Sequence, residues 1–128
     1  MIMIDFVEME AGHVVGIRVD GSVEASDIER AMKALEEKLQ TNERVSFFVE
    51  IDDLSGVSPE AIFKDIRYSL GQLKNLGRFY RSAVVTDIKW IRAAAGVEDL
   101  LIPRVEVKAF SKADRDVALA WISKLPAV

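Results

Sequence analysis

Apolar and polar residues recur along this chain with two periods, one close to two and one close to 3.6, and the switches between them mark its elements. Residues 2–8 and 14–20 read as strands joined by the turn Glu10-Ala11-Gly12-His13, a short glycine-containing connection of the kind an antiparallel hairpin uses. In the second strand Val15, Ile17 and Val19 share a face. Ser26-Asp27-Ile28-Glu29 then has capping-box spacing, and Ile28, Ala31, Met32, Leu35 and Leu39 follow at helical intervals. Glu29/Lys33 and Lys33/Glu37 pair on the outer side of that helix.

The second half repeats the scheme. Residues 45–51 alternate as a strand, and Ser58-Pro59 offers an N-cap followed by proline at the first helical position. A helix over 59–76 places Ile62, Ile66, Leu70, Leu73 and Leu76 on one stripe, and Gly77 stops it. Phe79 to Thr86 is a fourth strand, Asp87 caps a third helix through about 95, Val105 to Phe110 is a fifth strand, and Ser111 caps a last helix ended by Pro126. The predicted order is ββαβαβαβα, an α/β fold with a five-stranded mixed sheet, without repeat, linker or low-complexity tract.

Strands covered on both faces usually read as continuous apolar runs. Here Val45, Phe47, Val49 and Ile51 oppose Ser46, Phe48 and Glu50, and Val105 and Val107 oppose Glu106 and Lys108. The alternation predicts helices mainly on one face of the sheet. Phe47, Val49, Val107 and Trp121 are expected beneath them, with Glu50 and Lys108 accessible to solvent.

Composition narrows the function classes. The 128 residues suit one domain spanning 1–128, half of them are hydrophobic and 30% are charged, a balance that favours autonomous folding. There is no cysteine, which removes disulfides, thiolate nucleophiles and zinc–thiolate sites and fits a reducing, cytoplasmic setting. The start Met1-Ile2-Met3-Ile4-Asp5-Phe6 lacks the basic flank of a signal peptide and the length of a membrane span. Net charge is −4, unevenly spread: residues 1–63 hold 14 acids and 5 bases, residues 64–92 hold 2 and 7, and residues 93–128 hold 5 of each. The acidic total argues against nucleic-acid binding, while the basic middle leaves room for one anionic surface.

No catalytic constellation accompanies these elements. His13 is the single histidine and reads as a solvated turn residue without a partner for acid–base work. No glycine-rich phosphate or dinucleotide loop occurs, so no cofactor and no enzymatic activity are expected. Asp52 and Asp53, with Glu50, stand at the carboxyl edge of the third strand, where a magnesium ion could bind, but they more simply open an Asx turn before Leu54-Ser55-Gly56. Lys64, Arg67 and Lys74 form a basic stripe opposite the leucine stripe, Arg78 and Arg81 extend the charge beyond that helix, and with Lys89 of the third helix they suit a solvated face or an anionic membrane surface. In the third helix Trp90, Ala94 and Val97 form one apolar row and Ile88, Ile91 and Ala95 another, more than one core contact needs. Phe63, Ile88, Trp90, Ile91, Leu100, Leu101 and Ile102 are therefore the expected lining of an apolar ligand site, or the wall of a homodimer contact.

Several strings together resemble a family. The strand running into Asp53-Leu54-Ser55, the Lys89-Trp90 pair after the fourth strand, Phe110, and Ala120-Trp121-Ile122 are similar to SpoIIAA-like, STAS-related proteins across nearly the whole chain. The resemblance implies a βα superhelix with a one-sided sheet. Regulatory STAS domains carry an Asp-Ser-Ser-Gly-type loop after this strand; here the stretch is Gly56-Val57-Ser58-Pro59-Glu60, so Pro59 and Glu60 stand in the places of the two serines. Phospho-switching by an anti-sigma kinase is not expected. The SpoIIAA-like proteins also resemble lipid-carrying CRAL-TRIO domains in fold. That implies a non-enzymatic carrier for a non-polar small molecule, peripheral at the inner membrane surface, with a STAS-type module for a protein partner as the alternative.

Overall fold

The computed structural model describes residues 4–21, 24–54, 64, 68, 78–94 and 105–125. The chain opens with strand β1 (Ile4–Val7) and strand β2 (Val14–Gly21), followed by helix α1 (Ala25–Leu39) and strand β3 (Val45–Leu54). After β3 come strand β4 (Phe79–Thr86), the short helix α2 (Lys89–Ala94), strand β5 (Glu106–Phe110), a 3-10 turn at Lys112–Asp114 and helix α3 (Arg115–Ser123). Lys64 and Tyr68 are helical, as the expectation for 59–76 requires; the rest of that helix lies outside the described residues.

Neighbouring strands in the chain are neighbours in the sheet, which has the order β1-β2-β3-β4-β5. β1 and β2 form the antiparallel hairpin and the remaining pairs are parallel. Because paired residues share a face, the register sorts the side chains. Val15 pairs with Phe47 and Ile17 with Val49 on one side, while Phe48 pairs with Ala83, and Val85 pairs with Glu50 and with Phe110 on the other.

The first face is covered by α1, whose Ala31, Leu35 and Leu39 pack on Val15, Ile17, Val19, Phe47 and Phe79. Helix α1 begins two residues earlier than Ser26 suggests. The Asp27 carboxylate accepts the Glu24 backbone N–H at 2.9 Å, so the box is Glu24/Asp27, and the buried acid sits where the helix dipole favours it. The steps β2 to β3 and β4 to β5 run the same way along the sheet, and the right-handedness of such crossovers assigns α1 and α2 to one side.

The other face has its own core, and α3 closes it. Ala118 and Ile122 pack on Val14, Phe48, Ala83, Val85 and Phe110. This corrects one expectation: Trp121 is half-buried on the α3 side, 5.8 Å from the Phe110 ring, and does not join Phe47 on the α1 side. The polar positions that suggested a bare face are handled individually. Ser46 is fully buried, its N–H donating to the His13 carbonyl at 3.0 Å and its Oγ accepting the Arg81 N–H at 3.3 Å. Lys108 is exposed as expected, whereas Glu50 is half-buried beneath Arg115 of α3.

His13 also departs from its expected place. Met9 and Ala11 fold the hairpin loop against the second core, and His13 is drawn in with them to 7% exposure, its Nε2 without a partner among the described residues. Gly16 permits this fold-over, since a Cβ there would stand 2.7 Å from both Met9 Sδ and the Val7 carbonyl oxygen.

Candidate functional site

The surface expected to meet a ligand or membrane is partly in view. Phe63, Arg67, Lys74, Leu100, Leu101 and Ile102 lie outside the described residues, and for Trp90 only the backbone, within α2, is described. Ile91 is 3% exposed and belongs to the interior, while Ile88 is half-buried, its N–H held at 3.2 Å by the hydroxyl of buried Thr86. One apolar row of α2 therefore faces the core. On the outside, Lys64, Lys89 and Arg92 are exposed, and Tyr68, four residues on from Lys64 and on the same helical face, is 71% exposed.

Two other bases of the 64–92 stretch are engaged inside the fold. Arg78 donates through Nη2 to the Leu39 carbonyl at 2.7 Å and to that of Asn42, and through Nε to that of Glu43 at 2.8 Å. It thus satisfies the carboxyl end of α1, where the dipole is negative. Arg81 donates to Glu106 at 3.2 Å and to the Trp121 carbonyl at 3.0 Å. Its guanidinium also lies 4.5 Å from the Trp121 ring centroid and 4.7 Å from that of Tyr80. A planar cation close to the Trp121 ring and bonded to its carbonyl pins α3 to β4.

A second charged group lies along the carboxyl ends of β2 and β3. Asp52 is bonded by Arg18 at 2.5 Å and by the Lys112 ammonium, and Glu50 by Arg115 at 2.9 Å. The Asp87 carboxylate accepts the Lys112 backbone N–H at 3.0 Å. The Lys112 hydrogen bond, aided by Arg18 and opposed by burial, holds the Asp52 carboxyl below its ordinary value. Asp52 in turn raises the Arg18 guanidinium. Of the acids considered as magnesium ligands, Asp52 and Glu50 are thus matched by cations and Asp53 is exposed, and among the described residues no group of three or more His, Cys, Asp or Glu could hold a metal ion.

Sequence spacing carried no trace of these contacts. Arg18 and Asp52 are 34 residues apart and Lys112 and Asp52 are 60 apart. The available signal was the alternation itself, since Arg18, Glu50 and Asp52 occupy the positions of β2 and β3 opposite the α1-facing residues. Within the network Asp52 and Glu50 each have a cation, while Asp87 holds the backbone N–H of Lys112. Moreover, open α/β sheets place ligand crevices where the strand order reverses, and β1-β2-β3-β4-β5 never reverses. Among the described residues no helix is long and apolar enough to cross a membrane.

Comparison with known proteins gives a consistent picture. The sequence profile of the SpoIIAA-like family matches residues 14–123. Among solved structures, the chain is similar in fold to an uncharacterized protein of the DUF3478 family with a SpoIIAA-like fold from Shewanella loihica PV-4. The TM-score is 0.63 at 24% identity, covering 93% of this chain and 91% of that one. No curated protein matches the chain.

Proposed function

The chain belongs to the SpoIIAA-like family, and from that premise we propose that it is a non-enzymatic binding module that rests on anionic membranes and carries a non-polar ligand. The observation that supports this reading is the division of labour among the bases of residues 64–92. Arg78 and Arg81 are spent on the fold, whereas Lys64, Lys89 and Arg92 are exposed and make no ion pair with a described residue. Tyr68, 71% exposed on the face of Lys64, adds the amphipathic ring that favours a headgroup layer. The ligand half rests on the family's resemblance to CRAL-TRIO domains and on the apolar residues of 88–102. A phospho-regulated STAS role is less favoured, because Pro59 and Glu60 replace the two serines such a loop uses.

Each base near an anionic bilayer contributes about 1 kcal/mol, so three give on the order of 100-fold preference for charged over neutral lipid. Co-sedimentation with vesicles of neutral lipid and of neutral lipid mixed with phosphatidylserine tests this. The wild type is expected to sediment with the charged vesicles at low salt and to be released as salt screens the contact. Lys64→Glu with Lys89→Glu should stay in the supernatant. Equal behaviour with both vesicle types, or none with either, refutes the membrane reading.

A further inference from the structure

Strand β5 is an edge of the sheet: among the described residues it pairs with β4 and with no other strand. An edge presents alternate backbone N–H and C=O groups with no partner, and it serves as a template for a further strand unless something opposes one. Charged side chains on an edge are the usual opposition. On β5 those charges are of opposite sign two residues apart, Glu106 and Lys108, both on the α3 side of the sheet. We propose that β5 is a self-association edge, pairing antiparallel with β5 of a second copy of this chain about a twofold axis through Val107.

Register decides the matter, because residues facing each other across a pair must lie on the same face. Centring the axis on Glu106 sets Glu106 against Glu106, and centring it on Lys108 sets Lys108 against Lys108. Only an axis through Val107 sets Glu106 of each copy against Lys108 of the other, twice over, with Val105 opposite Ala109 and Val107 opposite itself. An isologous contact of this kind closes at two copies, where joining β5 to β1 of the next copy would run on without end. The other edge, β1, offers no such match: its one charge, Asp5, can face only another Asp5 or an apolar residue.

The local structure holds the two charges ready. Glu106 is bonded on one flank by Arg81 at 3.2 Å, yet its side chain remains 58% exposed, leaving the other flank for Lys108 of the second copy. Lys108 itself is exposed, its ammonium 5.7 Å from the Phe110 ring and 5.8 Å from that of Trp121. Since strand pairing alone buries less than the roughly 800 Å² per partner of a standard interface, the dimer is expected to be weak and concentration-dependent.

Sedimentation equilibrium of the full chain over about 5 µM to 1 mM, a span that covers weak association, tests the proposal. Lys108→Glu gives a copy with two acids on the edge and Glu106→Lys a copy with two bases, so each alone should dimerise at least roughly tenfold more weakly than wild type. Mixed in equal amounts, the two should form a heterodimer of about wild-type strength. Misfolded chains cannot produce that restoration. A wild type that stays monomeric throughout, or single variants that dimerise as well as wild type, overturns the proposal.

Discussion

Replacing Gly16 with alanine tests how the hairpin loop is folded onto the second core. Gly16 pairs with Val7 on one side and Phe48 on the other, so it stands mid-sheet with no unusual backbone requirement; space alone excludes a side chain. A Cβ would meet Met9 Sδ and the Val7 carbonyl oxygen at 2.7 Å and Met9 Cγ at 2.8 Å. Comfortable contact for carbon begins at about 3.5 Å, so each neighbour must retreat by roughly 0.7 Å. The thioether is flexible and can swing away at the expense of its packing. The Val7 carbonyl belongs to the β1–β2 ladder and cannot move without disturbing it.

Overpacking a core costs typically about 1–3 kcal/mol, and a backbone obstacle puts Gly16→Ala at roughly 2–3 kcal/mol. Half-buried Met9 should lose about 1–2 kcal/mol as Met9→Ala. The double variant should cost less than the sum of the singles by about 1 kcal/mol, since truncating Met9 clears the sulfur but leaves the carbonyl. Urea unfolding at 25 °C measures all three. If Gly16→Ala unfolds within about 0.5 kcal/mol of wild type, the Cβ has room and the steric argument is wrong. If the double variant is no weaker than Met9→Ala alone, the Val7 carbonyl is not an obstacle.

Three further outcomes follow from the packing and the charges. Ile122→Ala, at a fully buried position of α3, should cost about 2–5 kcal/mol in urea unfolding, and a loss under 1 kcal/mol would show that α3 does not seal the second core. Gly21→Ala forces a side chain onto a backbone φ of 113° beside the register shift at Val19/Asp20; a loss of about 1–3 kcal/mol is expected, and an unchanged midpoint would contradict it. Asp52 titrates below its ordinary value in the fold, so on acidification the unfolded chain binds that proton first. Its stabilising contribution is complete above the ordinary aspartate value near 3.9 and is lost as pH falls through the lowered folded value. Lys112→Met removes the largest cause and should flatten the acid limb of stability against pH; an identical limb would exclude the coupling.

The strand periods and the apolar stripe of α1 were legible because each is a local pattern with one consistent solution. The alternation of β3 was read correctly as a pattern but was incomplete as a statement about solvent. Ser46 is polar and fully buried because the Arg81 backbone N–H of β4 satisfies its hydroxyl, and no local rule reports a partner 35 residues away. Phe48 was counted with the polar set although it is the largest fully buried side chain, and that residue is why α3 has a face to cover. His13 misled for the same reason: a turn residue is solvated unless the loop folds back, and the fold-back depends on Gly16 accommodating Met9. Charge segregation marks Lys64, Lys89 and Arg78 alike, and separating Arg78 and Arg81 from the exposed bases needs the carbonyls and rings those two engage.

Helix α3 is the last of the described elements, and this bears on how the chain is made. The strands reach a ribosome's exit in the order in which they pair, so the sheet and the α1 face can assemble as they emerge. The opposite face cannot. Among the described elements, the face of Phe48, Ala83 and Val85 lacks its covering helix until Ala118 and Ile122 have been synthesised, an interval of a few seconds at about 5–20 residues per second. During that interval the nascent chain exposes a contiguous apolar strip along the middle of its sheet, a surface that chaperones grip and that neighbouring nascent chains adhere to. A message truncated before codon 115 would leave the strip without that helix, and its product should aggregate even though every described strand is present.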